Sequence, residues 1–322
     1  MIVIYLILIL VFSLLLVKST DILIVNFKSL SQKTQLRKFA LTGLILGLAT
    51  SLPELFVGLT SSFEGKPVLS LGNVMGANIA NLSLVIGGAA LIGGAISVHG
   101  LFLRRDVFYA FLAAIAPLVL LLDKALSRTD GLILLILYGF YQVAVFSEQK
   151  HKVKQMAEQE GVITRLLRNL NHRGTKKELG WVLIGVALLL LSADVLVRIS
   201  LKLAALLNLP LILVGLLVLA IGTTLPELVF GVKALRAKQP SMVFGNLLGS
   251  IVANGTFIIG LVALFSPIRV QAFAEYLLAT MVFIVVFGLF YLFIRTKHRL
   301  ERWEGVVLLA VYLLFILVEF FK

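Results

Sequence analysis

Residues 48–55 read LATSLPEL, and residues 221–228 read IGTTLPEL. Each stretch puts a proline and a glutamate inside a run of otherwise apolar residues, where a helix breaker and a charge are both costly. Because the same unusual combination occurs twice along one chain, the sequence predicts that its two halves are built on the same plan.

A search for internal repeats supports this prediction. A shift of 173 residues aligns residues 42–87 with residues 215–260 without a gap and gives 16 identities in 46 positions. Both segments contain TxLPEL followed by GNxxGxxxAN at the same spacing. Chance similarity between two apolar runs would match leucines, but it would not reproduce two polar motifs at a fixed distance.

The composition is that of a membrane protein. Of the 322 residues, 60% are apolar and only 14% are charged. Several apolar runs are long enough to cross about 30 Å of hydrocarbon. We therefore predict an all-α polytopic membrane protein with about ten transmembrane helices, at residues 1–18, 36–62, 67–95, 105–123, 130–147, 179–200, 209–235, 241–267, 271–295 and 303–320.

A polar stretch divides these helices into two sets of five. The predicted organisation is a first repeat at 1–148, a basic cytoplasmic loop at 149–178 and a second repeat at 179–322. Since each half has an odd number of spans, the second half enters the membrane in the opposite sense. Inverted repeats of this kind place their substrate site near the midplane, on broken helices.

The positive charge predicts an orientation rather than a nucleic-acid partner. The formal net charge is +13, and all but seven of the 29 Lys and Arg residues follow odd-numbered spans. Basic loops of membrane proteins stay inside, so both termini are predicted outside. We expect a multi-pass protein of a plasma (inner) membrane. The absence of cysteine excludes a thiolate metal site.

The two acids predict a cation site. Glu54 follows Thr50 by four residues, and Glu227 follows Thr223 likewise, so each carboxylate shares a helix face with a hydroxyl. An acid inside a membrane marks an ion path by default. Two such acids suit a divalent ion.

The helix after each acid adds oxygen ligands. Its small residues, Gly72 and Gly76 or Gly245 and Gly249, form a ridge that predicts close helix packing. A second face carries amides and a hydroxyl, whose oxygens suit Ca²⁺ and Na⁺ better than copper or zinc. Asn73 and Asn246 on this face either contribute to the site or only cap and brace helices. The other members of this face are Ala77 and Asn81 in the first half and Ser250 and Asn254 in the second.

These motifs, LATSLPEL with GNVMGANIAN and AIGTTLPEL with GNLLGSIVAN, resemble the two alpha repeats of the cation/calcium exchanger superfamily, most of all its sodium/calcium exchanger branch. The resemblance implies a prokaryotic alternating-access antiporter that holds Ca²⁺ or Na⁺ between Glu54 and Glu227. It also implies further metal ligands, namely Thr50, Ser51, Thr223, Thr224, Ser250, Asn81, Asn254 and the backbone carbonyls near Gly47 and Ala220.

The chain departs from the family pattern at several positions. Ala77 stands where the family commonly has Ser, whereas the second repeat keeps Ser250. Loss of one hydroxyl would change sodium affinity or stoichiometry, or make protons the counter-ion. Ile251 replaces a common Asn, which makes the two repeats chemically unequal.

Several functions remain open at this point. The leading interpretation is a Na⁺/Ca²⁺ antiporter, and a Ca²⁺/H⁺ exchanger on the same scaffold is the alternative. A channel would conduct without coupling. An intramembrane hydrolase is disfavoured, because no nucleophile and base lie together at depth, and we expect neither enzyme activity nor a cofactor. No GxxxxGK[ST] loop is present to use ATP. The site does not require an oligomer.

Overall fold

The computed structural model describes residues 2–33, 50–97, 101–153, 173–236 and 240–321. Gly47 and most of the predicted span 36–62 before Thr50 lie outside these ranges. The same holds for the middle of the predicted loop 149–178.

The described part of the first half is mostly helical and includes two short strands. A π-helical segment, Asn81–Val85, joins α3 to α4, and one 3₁₀ turn, Leu121–Asp123, follows α5. The elements in chain order are α1 (Ile2–Lys33), α2 (Leu52–Phe63), α3 (Pro67–Ala80), α4 (Ile86–Gly93), β1 (Ile96–Ser97), α5 (Leu101–Leu120), β2 (Ala125–Leu126) and α6 (Arg128–Val153).

The second half repeats this order. Its π-helical segments are Val214–Leu219, which joins α8 to α9, and Ala253–Ile258, which joins α10 to α11. The elements are α7 (Arg173–Leu207), α8 (Leu211–Leu213), α9 (Ala220–Arg236), α10 (Pro240–Val252), α11 (Ile259–Phe265), β3 (Ile268–Arg269), α12 (Phe273–Lys297), β4 (Arg299–Leu300) and α13 (Arg302–Phe321).

Most predicted helix ends agree with the structure to within a few residues, but the first is wrong. α1 continues to Lys33, whereas the prediction ended it at residue 18 because polar residues begin there. These residues do not stop the helix, since Ser19 donates its hydroxyl to the Leu15 carbonyl at 2.7 Å and is satisfied within it. α7 likewise begins at Arg173, inside the stretch predicted to be a loop.

Six helical stretches of the described residues are long and apolar enough to cross a membrane. A shorter apolar helix covers Val107–Asp123. The six stretches are Ile2–Asn26, Pro67–Gly93, Lys177–Leu207, Leu211–Arg236, Met242–Phe265 and Phe273–Thr296. Together with the structural neighbours described below, they confirm the predicted polytopic all-α fold.

The strands connect the two halves symmetrically. β1 pairs antiparallel with β4, so that Ile96 faces Leu300, and β2 pairs with β3, so that Leu126 faces Ile268. The two pairs are equivalent, because exchanging the halves turns one into the other. α5 separates β1 from β2 by 20 residues, or about 30 Å. The two strand pairs therefore lie at opposite ends of the helix bundle.

Glycines allow α3 to touch the segment that leads into α9. A Cβ at Gly72 would collide with the Ile212 carbonyl, and one at Gly76 would collide with the Leu216 carbonyl and the Ala220 Cβ. The predicted small-residue ridge therefore packs backbone against backbone, as small residues do between membrane helices. This contact brings the second face of α3 beside Thr223.

The buried apolar residues form two clusters. The larger one includes α3, α5, α10 and α12, with Leu71, Phe244 and Phe290 among its members. The smaller one lies mainly between α1 and α7, where Leu16 and Leu196 are fully buried. α1 and α7 are equivalent helices of the two halves and pack against each other.

Candidate cation site

The two acids predicted to bind a cation are both buried. Glu54 lies in the first turn of α2 with 0% of its surface exposed, and Glu227 lies in α9 with 1% exposed. None of their four carboxylate oxygens has a described partner within hydrogen-bond geometry, although the Thr223 hydroxyl lies near the Glu54 carboxylate. Glu54 is close enough to act electrostatically on Glu227. A carboxylate buried without partners is costly, so the pair has an unmet need for positive charge.

The two prolines have different positions in the described helices. Pro226 lies inside α9, where it removes the amide that would bond the Gly222 carbonyl. Pro53 stands in the first turn of α2, a position that proline tolerates well. The Ala49 carbonyl, which would bond the amide that Pro53 lacks, lies outside the described residues. The helix irregularity of the described part is carried instead by the three π-helical segments, a form that is frequent at functional sites.

Each threonine contacts an asparagine of the opposite half. Thr50 donates its hydroxyl to the Asn246 Oδ1 at 2.8 Å, and Thr223 donates to the Asn73 Oδ1 at 3.1 Å. The shift of 173 residues converts one bond into the other. Both bonds join α2 or α9 to the small-residue helix of the other repeat.

The residue beside each threonine breaks this symmetry. The Thr50 hydroxyl is also 3.2 Å from the Ser250 hydroxyl. The equivalent neighbour of Thr223 is Ala77, which is fully buried and has no hydroxyl. The two halves of the site therefore present different numbers of oxygens.

The asparagines of the π-helical segments are buried as well. Asn81 is fully buried, and neither its oxygen nor its nitrogen has a described hydrogen-bond partner. Asn254 donates its amide to the Asn78 Oδ1 at 3.0 Å, while its own Oδ1 has no described partner. Two amide oxygens are therefore buried without a donor.

The remaining predicted ligands differ in whether they already have a hydrogen-bond partner. The Ser51 hydroxyl is buried without a described partner. Thr224 donates its hydroxyl to the Ala220 carbonyl at 2.7 Å, so this carbonyl already accepts one hydrogen bond. A carbonyl oxygen has two lone pairs, and one of those at Ala220 remains for a cation.

Two polar residues near these groups were not predicted as ligands. Asn78 stands one position from Ala77, and only its spacing within GNVMGANIAN could have marked it. Ser13 of α1 is 2% exposed, its hydroxyl has no described partner, and a Cβ at Gly222 would collide with it. It is a lone serine in an apolar helix, and no motif distinguishes it.

Asp21 and Asp194 form ion pairs away from the buried acids. Asp21 contacts Lys233 at 3.2 Å, and Asp194 contacts Arg198 at 3.0 Å, while Arg198 also reaches Glu64 at 2.8 Å. All these side chains are partly exposed. These contacts indicate a structural role for the two aspartates.

The ligand atoms that the site can offer to a metal ion are oxygens. No group of three or more His, Cys, Asp and Glu side chains occurs in the described ranges. The buried polar atoms around the two acids come instead from hydroxyls, amides and backbone carbonyls. Such oxygens suit hard cations. With only two acids, the site has charge for one divalent or two monovalent ions.

Comparisons with known proteins point to one family. The sequence profile described as sodium/calcium exchanger protein matches residues 4–147 and 177–321. Sodium/calcium exchanger MaX1 of Methanosarcina acetivorans is 27% identical over 336 residues, covering 95% of each protein. Inner membrane protein YrbG of Escherichia coli is 30% identical over 247 residues, covering 74% of each.

Solved structures give the same fold. The sodium-calcium exchanger NCX_Mj superposes with a TM-score of 0.65 at 25% identity, covering 98% of both chains. The H⁺/Ca²⁺ exchanger CAX superposes with a TM-score of 0.74, covering 97% of this chain and 82% of that one. The CAX identity is 19%, so this likeness shows the fold alone.

Fold and site together define a class of protein, the multi-pass membrane cation antiporters. The profile match extends through both halves and confirms the resemblance found in the sequence motifs. The chain belongs to the sodium/calcium exchanger protein family.

Proposed function

We propose that this protein exchanges Na⁺ for Ca²⁺ across a membrane by alternating access, with the cations held between Glu54 and Glu227. The observation that carries the proposal is the burial of two electrostatically interacting acids whose carboxylate oxygens have no described partner within hydrogen-bond geometry. The names of MaX1 and NCX_Mj, both sodium/calcium exchangers, support the choice of ions.

The proposed ligand set extends beyond the acids. Thr50, Thr223 and Ser250 would supply hydroxyl oxygens, and Asn81 and Asn254 would supply amide oxygens. Ser51, Thr224 and the carbonyls near Gly47 and Ala220 complete the proposed set. Support comes from the buried oxygens of Ser51, Asn81 and Asn254, for which the described residues offer no donor.

Charge explains why exchange would be coupled. Two ionised carboxylates balance one Ca²⁺ or two Na⁺. A charged side chain at the bilayer centre costs about 2.5–3.5 kcal/mol on insertion scales, so the unloaded site crosses the membrane less readily than the neutralised one. Transport of one cation then depends on its replacement by another. Any third Na⁺ would carry net charge and make the cycle sensitive to voltage.

A Ca²⁺/H⁺ exchanger is the second candidate, and Ala77 favours it. This residue removes one oxygen from the half of the site that contains Thr223, and a missing oxygen weakens a Na⁺ site more than it weakens proton binding. Protons need only the two carboxylates. The two candidates differ in which gradient drives Ca²⁺ uptake.

Uptake of ⁴⁵Ca²⁺ into proteoliposomes under separate sodium and proton gradients tests the proposal. We expect an outward sodium gradient to drive uptake and a pH gradient of equal driving force to drive little. Glu54→Gln and Glu227→Gln should each abolish uptake, because one carboxylate cannot balance Ca²⁺. Uptake that needs only the pH gradient would establish the second candidate, and uptake without any counter-cation would contradict both.

The proposed setting is the plasma (inner) membrane of a prokaryotic cell, with both termini outside and the basic stretch 149–178 in the cytoplasm. The distribution of Lys and Arg supports this orientation. The proposed repeats, 1–148 and 179–322, each contribute one acid. A single chain contains both acids, so an oligomer is not needed to complete the site.

A further inference from the structure

Asn73 and Asn246 have no role in the ligand set proposed above, yet they occupy equivalent and deeply buried positions. Asn73 is fully buried and Asn246 is 3% exposed. Each lies on the small-residue helix of its repeat, α3 or α10, and each Oδ1 accepts the hydroxyl proton of a threonine from the other repeat. A bond that occurs twice, related by the pseudo-two-fold axis, is a property of the architecture.

The direction of a hydroxyl proton decides what the oxygen can bind. A threonine hydroxyl has one proton and two acceptor lone pairs. When its proton is directed at an amide oxygen, both lone pairs lie on the other side of the hydroxyl. A cation can then be bound without competition from that proton.

The alternative for such a hydroxyl is a bond to its own helix. Thr224 shows this arrangement, since it donates to the Ala220 carbonyl at 2.7 Å. The Thr223 hydroxyl is 3.4 Å from the same carbonyl but 3.1 Å from the Asn73 Oδ1. Without Asn73, the Thr223 proton would turn to the Ala220 carbonyl or to the nearby Glu54 carboxylate. Either turn would use a lone pair of an oxygen proposed to bind the cation, and it would redirect the hydroxyl oxygen.

We propose that Asn73 and Asn246 are positioning residues, each of which orients the threonine hydroxyl of the opposite repeat so that its oxygen faces the cation. This inference rests on the proposed function, because it takes Thr50 and Thr223 as ligands. Each asparagine thereby connects one repeat to the ligand set of the other, and the two pairs join α2 to α10 and α9 to α3.

Loss of the asparagine would not affect the two threonines equally. Beside Thr50, the Ser250 hydroxyl at 3.2 Å is available to accept the Thr50 proton when Asn246 is removed. Beside Thr223 the equivalent residue is Ala77, which offers no such acceptor. Loss of Asn73 should therefore impair cation binding more than loss of Asn246.

A double-mutant design tests the inference. The matched sets are Thr223→Val, Asn73→Leu and their combination, and Thr50→Val, Asn246→Leu and their combination. The crossed control combines Thr50→Val with Asn73→Leu, two residues that do not share the bond. Half-saturating Ca²⁺ and Na⁺ concentrations and the maximal rate are measured separately in proteoliposomes.

We expect each valine variant and Asn73→Leu to raise the half-saturating Ca²⁺ concentration about fivefold, the effect of one typical hydrogen bond. Asn246→Leu should raise it less. The matched doubles should be no worse than the valine variants alone, whereas the crossed double should multiply to about 25-fold. Melting temperature without cations separates binding from folding, and Asn73→Ala serves where the larger leucine does not fit.

The results of these measurements distinguish failure of the positioning role from failure of the proposed ligand role of the threonines. If the valine variants weaken Ca²⁺ binding but the matched doubles multiply like the crossed one, the positioning role is overturned and the proposed ligands stand. If neither valine variant changes cation affinity, the threonines are not ligands and both proposals fail at these positions. If the asparagine variants change only the melting temperature, the asparagines are structural.

Discussion

At the scale of single residues, the candidate site contains buried oxygens that have no described hydrogen-bond donor. Glu54 and Glu227 have no described donor, and the amide oxygen of Asn254 has none either. Buried polar groups in proteins are hydrogen-bonded as a rule. The exceptions at the two acids and at Asn254 are explained when a cation is the intended partner.

The first residue-scale prediction concerns Ala77. In Ala77→Ser, the new hydroxyl should take the position beside Thr223 that Ser250 takes beside Thr50, and it should add an oxygen to the Na⁺ ligands. We expect the half-saturating Na⁺ concentration of Ca²⁺ uptake to fall about twofold to tenfold, as one added hydrogen-bonding group is worth about 0.5–1.5 kcal/mol.

The matched control for this prediction is Ser250→Ala, which removes the equivalent hydroxyl and should raise the half-saturating Na⁺ concentration. Melting temperatures show whether the added oxygen fits, because Ala77 is fully buried. If Ala77→Ser binds Na⁺ no better while Ser250→Ala weakens it, the missing hydroxyl does not set sodium use.

At the scale of elements, glycine determines how closely the helices approach. Gly76→Ala should destabilise the protein by about 1–3 kcal/mol, the usual cost of overpacking, because its Cβ would meet the Leu216 carbonyl and the Ala220 Cβ. Thermal melting of the purified protein in detergent measures the change.

Gly139→Ala in α6 is the matched control, since no atom lies within 4 Å of its added Cβ. There, alanine should leave the melting temperature unchanged or raise it, because alanine favours helix over glycine. Equal melting temperatures for the two variants would contradict the close packing of α3 on the α8–α9 segment.

Much of this element pattern could be predicted from the sequence, because hydrophobic length and the repeat are local signals. The span predicted at 67–95 is observed as α3 and α4, with Pro67 at its first residue. Lys18 to Asp21 misled the prediction because polar residues were taken to end the span, whereas the helix continues through them and satisfies the Ser19 hydroxyl internally. The fold class and the family motifs were predicted correctly.

The contacts within the site could not be predicted in the same way. Thr50 and Asn246 are separated by 196 residues, and Asn254 and Asn78 by 176. No local pattern pairs residues at such distances. The strand pairs β1–β4 and β2–β3 were missed because two-residue strands carry no periodicity. Ser13 was missed because a single hydroxyl in an apolar helix has no motif.

At the scale of the whole molecule, symmetry and its defects have separate roles. The strand pairs, the Thr–Asn bonds and the acids obey the exchange of halves. Ala77 opposite Ser250, and Asn78 opposite Ile251, do not. We propose that symmetry supplies one arrangement for each side of the membrane, and that the defects allow the two halves to bind cations differently.

Glu54 and Glu227 are proposed to bind one cation jointly, and calorimetric titration of the purified protein with Ca²⁺ is the decisive test. We predict one Ca²⁺ per chain, displaced by Na⁺, and no detectable binding in Glu54→Gln or in Glu227→Gln although both variants remain folded. Binding of Ca²⁺ with unchanged affinity in either variant would contradict the claim.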